Sequence, residues 1–127
     1  MLQERALILR YRAVRADHAG NAELASKALH QLEAIAGGSR SYIVQGAYHG
    51  AVGAMLMHKE KIDEAIPHLE EDQENPYSLE LLARAYQTLG DPEKRYEAEV
   101  KLRSMNVPTI EQAMVVPEVR SQRPAGE

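Results

Sequence analysis

The sequence contains no cysteine, no tryptophan and no phenylalanine, and six tyrosines are its only residues of the Phe, Trp and Tyr class. Without cysteine the chain can form no disulfide, no thiolate nucleophile and no thiolate-based zinc site. At 127 residues it is long enough for one domain with one modest core. That core has to be built mainly from leucine, isoleucine, valine, alanine and methionine.

A concentrated basic surface is also missing. The formal net charge is −4, and the four arginines between positions 5 and 15 are spread around a helix, with Glu4 and Asp17 nearby. A nucleic-acid-binding protein usually carries a basic stripe, so the composition predicts no nucleic-acid partner.

The common catalytic motifs are absent from the sequence. There is no G-x-S-x-G, no phosphate-binding P-loop and no H-E-x-x-H. The sequence therefore predicts that the chain is not an enzyme on its own and that it binds no cofactor.

The segment Met1–Arg5 carries an acidic and a basic residue where the apolar region of a signal peptide would follow, so no signal peptide is expected. This leaves the compartment unassigned. It is cytoplasmic by default, and exported if the chain is a fragment of a longer precursor.

The most apolar stretch is Ser41–His58, which is apolar or small on every face of a helix. It is shorter than the ~20 apolar residues of a membrane span, and it contains His49 and the glycines Gly46, Gly50 and Gly53. We predict no membrane span and interpret this stretch as the central helix of a soluble all-helical domain.

Apolar residues recur at helical spacing in six segments, separated by short polar or glycine-containing turns. Six helices of about 11 to 17 residues are predicted. Five cover about residues 2–18, 22–36, 42–58, 76–89 and 92–105, and the fourth in chain order begins at Ile62 and includes Ala65, Ile66 and Leu69. Asn21, Ser39 or Ser41, and Asn75 are predicted N-caps, and Gly20 and Gly90 suit helix ends. A short helix at 109–115 is expected to cover the last pair, and residues 117–127 are expected to be disordered.

The six helices form three similar pairs. The segment Asn75–Lys94, NPYSLELLARAYQTLGDPEK, has the small, bulky and turn residues of a helix-turn-helix repeat. Within residues 62–66, Ala65 matches the inward-facing alanine in the second helix of such a repeat. In these residues the chain resembles the tetratricopeptide repeat family, with repeats at about 3–36, 42–75 and 76–106. The first two repeats begin about 40 residues apart, whereas the family repeat is 34 residues long.

The resemblance implies an all-α solenoid of three antiparallel helix pairs with a C-terminal capping helix, forming one domain over residues 1–116. It also implies a concave groove that binds a protein or peptide. The family's carboxylate clamp has no counterpart at the matching positions, so binding of chaperone C-terminal tails is not expected. Those positions hold Arg10, Val14, Ala51, Tyr77 and Leu81.

The predicted groove is a floor of small residues with polar ends. Its residues are Arg10, Val14, His18, Gly46, Ala47, Gly50, Ala54, Met57, His58, Tyr77, Glu80, Arg84 and Gln87. The alternative is an assembly role, in which the chain self-associates as a homo-oligomer or stacks with further repeats of a larger protein.

Two glycines of the central helix need a compensating interaction. Gly46 and Gly50 each cost about 1 kcal/mol relative to alanine inside a helix, and the repeat motif does not require them. Close approach of a neighbouring helix and a bound partner segment are both adequate explanations, and the sequence leaves both open.

The histidines are candidate metal ligands. Glu64 and His68 share a helix face, and His58 lies shortly before them. A metal site needs three or four ligands in a closed geometry, so the sequence predicts surface histidines and no metal site. The acidic run 70–74 is likewise predicted to be a solvated helix end.

Overall fold

A computed structural model describes residues 2–105, and these residues form six helices. They are α1 (Leu2–His18), α2 (Ala22–Gly37), α3 (Tyr42–His58), α4 (Ile62–Glu70), α5 (Pro76–Leu89) and α6 (Pro92–Met105). The prediction of an all-α fold is confirmed, since no strand occurs within 2–105. The predicted helix at 109–115 and the predicted disordered tail at 117–127 lie outside the described residues.

The helix ends follow local signals in the sequence. The side chains of Asn21, Ser41 and Asn75 accept hydrogen bonds from first-turn backbone N–H groups of α2, α3 and α5. Pro76 occupies the start of α5, where a missing N–H removes no helical hydrogen bond. Gly90 ends α5 with a positive φ of 76°, a conformation that glycine adopts without a steric penalty.

The helices pack first within pairs and then between pairs. The helix α1 packs on α2, α3 on α4, and α5 on α6. Between pairs, α1, α2 and α5 all contact α3. The segment predicted to be central therefore contacts four of the other five helices, which explains why no face of it is strongly polar.

The buried residues form two clusters that meet on α3. One cluster joins α1 and α2 with α3 residues from Val44 to Met55, and the other joins α4 and α5 with Ala54 of α3. Alanine makes up more than half of the buried apolar residues, and Tyr86 is the one tyrosine among them. Such small side chains fill little space between packed helices, so they allow the helix axes to lie close together.

No helix within residues 2–105 combines the length and the apolar composition that crossing a membrane requires.

Candidate partner-binding groove

A groove of about 720 Å³ runs between α1 and the start of α5. We call it the α1–α5 groove. Its lining residues come from successive turns of α1 and from the N-terminal end of α5. They are Leu7, Arg10, Tyr11, Val14, Arg15, His18, Ala19, Asn75 and Tyr77.

The walls of this groove are apolar and aromatic. Leu7, Tyr11 and Tyr77 are all exposed, although each has a large apolar side chain. Leu7 and Tyr11 are four residues apart on α1, and Val14 follows after three more, so they share one face of the helix. Val14 also packs against both core clusters, whereas Leu7 and Tyr11 leave apolar surface exposed along the groove.

The charge of the groove is positive. Arg10, Arg15 and His18 are among its lining residues, and none of the lining residues is acidic. The Arg15 guanidinium donates a hydrogen bond of 3.0 Å to the Tyr11 hydroxyl and lies 5.4 Å from the centre of that ring. These contacts place the cation beside the aromatic wall.

Gly46 and Gly50 are buried beneath the side chain of Asp72, which lies in the connection between α4 and α5. A Cβ on Gly46 would lie 2.6 Å from Oδ1 of Asp72, and a Cβ on Gly50 would overlap Oδ2. Neither sequence-based explanation applies as stated, because the close approach is made by the side chain of Asp72 in the α4–α5 connection and not by a neighbouring helix or a partner segment. In this structure the predicted small-residue floor is covered.

The Asp72 carboxylate is held by two donors from different helices. The Arg10 guanidinium of α1 lies 2.8 Å from Oδ2, and the Ser78 hydroxyl of α5 donates a hydrogen bond of 2.6 Å to the same atom. Arg10 also donates to the Ser78 oxygen at 3.1 Å. This network links α1, the α4–α5 connection and α5 below the groove.

Burial raises the pKa of Asp72 above its usual value, because the side chain is removed from water. The hydrogen bond from Ser78 and the positive charge of Arg10 act in the opposite direction and offset part of this effect. Asp72 is 7% exposed, so the prediction that all of the acidic run 70–74 is solvated is wrong at this position.

A pair of histidines lies on the other side of Asp72. Nδ1 of His49 on α3 is 3.0 Å from Nδ1 of His68 on α4, and the two rings stack with centroids 5.2 Å apart. One ring must donate and the other accept, so the contact requires at least one neutral imidazole. Burial, followed by the charge of His49, lowers the pKa of His68.

The last turns of α1 and α3 meet at the end of the groove that His18 lines. Nδ1 of His58 lies 2.8 Å from Oδ2 of Asp17, and the rings of His18 and His58 have centroids 4.7 Å apart. The structure thus brings His58 to Asp17 and His18, whereas the sequence suggested a group of His58 with Glu64 and His68.

The predicted groove residues divide into three sets. The first set lines the α1–α5 groove and consists of Arg10, Val14, His18 and Tyr77. The second set is buried and consists of Gly46, Ala47, Gly50 and Ala54. The third set lies outside the lining of this groove, with Met57 half-buried and the others exposed, and consists of Met57, His58, Glu80, Arg84 and Gln87.

The sequence did not predict that Tyr11, Arg15 and Asn75 line the groove. It also did not predict that Asp72 and Ser78 form a hydrogen-bonded network with Arg10 beneath it. Tyr11 had an available signal, because it follows Leu7 by four residues on one helix face. Asp72 and Ser78 had no such signal, since they reach Arg10 only after α1 and α5 are brought together.

Comparison of the chain with protein-family models, with curated proteins and with solved structures finds no match.

Proposed function

We propose that the protein is a protein-interaction module and that its α1–α5 groove binds a short segment of a partner protein. The observation that carries this proposal is the exposed apolar and aromatic lining of a groove with three basic side chains. A mostly apolar concave surface with a few polar groups is the usual form of a ligand-binding site, and extended or helical peptides commonly bind in such grooves.

The fold supports a binding role of this kind. The side-by-side packing of α1, α3 and α5 is consistent with the three-pair solenoid that the tetratricopeptide repeat resemblance implies. In such a stack the first helices of successive pairs line one concave side, which is an extended binding surface.

The side chains that line the groove indicate which residues a bound partner segment contains. Tyr11 and Tyr77 offer apolar surface to one or two large side chains, and Arg15 places a cation beside them. Arg10 is already paired with Asp72 and positions the groove from below. We therefore propose a segment with bulky apolar residues and at least one carboxylate.

A displayed library of random peptides tests this preference, because it requires no choice of partner in advance. Peptides enriched on the wild-type protein are expected to combine apolar residues with Asp or Glu. Tyr11→Ala and Tyr77→Ala are each expected to raise their Kd about tenfold or more, because aromatic side chains dominate such interfaces. Fluorescence anisotropy with a labelled peptide measures the affinity.

Tyr96→Ala is the matched control for this experiment. Tyr96 is 62% exposed on α6 and Tyr11 is 61% exposed on α1, so both substitutions remove a similar exposed area. Only the Tyr11 variant is expected to weaken binding. Equal effects of the Tyr11 and Tyr96 substitutions, or no enrichment of peptides over a blank surface, would overturn the proposal.

The alternative proposal, self-association, rests on a different surface. Ile8 and Leu24, on the first pair of helices, are about half exposed. Burial of such side chains against a second copy would remove apolar area from water. Size-exclusion chromatography with light scattering tests this, and a monomer at every concentration would exclude it. If a dimer forms, Leu24→Glu is expected to dissociate it.

A further inference from the structure

The last turns of α1 and α3 place a carboxylate and two imidazoles together. Asp17 and His18 are neighbours on α1, and His58 comes from α3, 41 residues after Asp17. One ligand atom from each residue can be chosen so that all three lie within 4.8 Å of one another. Among the described residues this is the one group of three potential ligands that meets this criterion.

These three side chains form a donor set that suits zinc. Zinc in proteins binds histidine nitrogen and carboxylate oxygen at about 2.0–2.2 Å, and sites with three protein ligands keep a fourth position for water. Ligand atoms of a tetrahedral site with such bonds are ~3.3 Å apart. The ligand atoms of Asp17 and His58 are 2.8 Å apart, so this pair has to separate by only about 0.5 Å to share a tetrahedral ion.

The backbone around the cluster also favours a cation. Both helices end here, and the carbonyl groups of a helix C-terminus carry partial negative charge. The side chain of Asp17 is 11% exposed and that of His58 is 47% exposed. The carboxylate is therefore largely shielded, while the imidazole faces solvent and leaves an entry path for an ion.

We propose that Asp17, His18 and His58 bind one Zn²⁺ ion, with water in the fourth position. The sequence predicts no such site, because the ligands are distant along the chain and the obvious grouping contained His68. His18 also lines the α1–α5 groove, but Zn²⁺ binding is measured without any peptide, so failure of the metal site and failure of the peptide-binding function are distinguishable.

Isothermal titration of metal-free protein with Zn²⁺ tests the site. We expect one equivalent to bind, and we expect His18→Gln, His58→Gln and Asp17→Asn each to weaken binding about tenfold or more, as loss of a ligand or its support does. Mg²⁺ is expected not to bind, because it prefers a shell of oxygen ligands and water.

His30→Gln and His68→Gln serve as controls. His30 is exposed on α2 and belongs to no three-ligand group within the described residues, whereas His68 belongs to the other histidine pair. Neither substitution is expected to change the affinity. If His68→Gln abolishes binding, or if the three cluster variants bind Zn²⁺ as the wild type does, the proposed site is wrong.

A measurement on the wild-type protein makes the test independent of any variant. On addition of Zn²⁺ the ring signals of His18 and His58 in a histidine NMR spectrum are expected to shift or broaden. Changes confined to His49 and His68, or the absence of change at one equivalent, would overturn the assignment.

Discussion

The carboxylate of Asp72 lies against Gly50, at the place where any other residue would carry its β-carbon. The Arg10 guanidinium reaches the same point from α1, with its nitrogen 3.0 Å from the position of that absent atom. The side chains of Asp72 and Arg10 therefore both pack against α3 at Gly50, which has no side chain of its own. This close approach offsets the cost of glycine in α3.

Gly50→Ala is expected to destabilise the protein by about 1–3 kcal/mol, because overpacking in a tight site has this cost. At an open helix position the same substitution stabilises by about 1 kcal/mol. The sign of the change in unfolding free energy therefore shows whether Gly50 lies in a crowded site. Urea denaturation followed by circular dichroism measures the change. Gly37→Ala is the control, since no atom lies within 4 Å of its added Cβ, and it is expected to be neutral or stabilising.

The same substitution in an Arg10→Met, Asp72→Ala background identifies the cause. That background removes both charged side chains, so no buried charge is left unpaired. There Gly50→Ala is expected to lose its destabilising effect. An equal cost in both backgrounds would show that the carboxylate is not the reason for the glycine.

The pair His49 and His68 is expected to make stability depend on pH. The pKa of His68 is lowered by burial and by His49 from its usual value of 6.5. As pH falls through about 6.5, the unfolded chain takes up a proton at this position before the folded protein does. Stability is therefore expected to fall as pH falls from 7.5, and to level off below the folded pKa.

The unfolding free energy at a series of pH values measures this dependence. The charged groups that act on the pair include Asp72, whose charge also acts on His49. His68→Gln is expected to flatten the profile, and His30→Gln, at an exposed position on α2, is expected to leave it unchanged. A profile unaltered by His68→Gln contradicts the assignment.

Tyr86→Phe is expected to destabilise the protein by about 1–2 kcal/mol. The Tyr86 hydroxyl donates a hydrogen bond of 2.5 Å to Oε2 of Glu70 and joins α5 to α4, and bonds to charged groups are stronger than neutral ones. Burial, together with this carboxylate, raises the pKa of Tyr86 well above its usual value. The tyrosine is therefore uncharged across the physiological range.

Thermal and urea unfolding of the Tyr86→Phe variant measure the loss. Tyr96→Phe, at an exposed position on α6, removes the same atom and is expected to change stability by less than about 0.5 kcal/mol. Glu70→Gln is expected to retain part of the interaction when Tyr86 is present, because an amide oxygen still accepts the bond. Identical losses at Tyr86 and Tyr96 would remove the physical basis of this prediction.

The sequence predicted the helices well because their signals are local. Apolar spacing, the caps at Asn21 and Asn75, and Gly90 at a helix end each act within a few residues, and all six helices form in the predicted segments, although α4, with 9 residues, is shorter than expected. Of the residues expected in a binding groove, Arg10 and Tyr77 line the α1–α5 groove, whereas Gly46 and Gly50 are buried.

The sequence by itself determined the six helical segments between residues 2 and 105, because helical periodicity and helix caps depend on near neighbours. Only the tertiary structure decided that the Asp72 carboxylate packs against Gly50 and that the His58 ring contacts the Asp17 carboxylate. Each of these contacts joins residues more than twenty positions apart, and a side chain's partner at that distance is set by how helices pack. The same packing covers the small residues of α3 and leaves Leu7, Tyr11 and Tyr77 exposed.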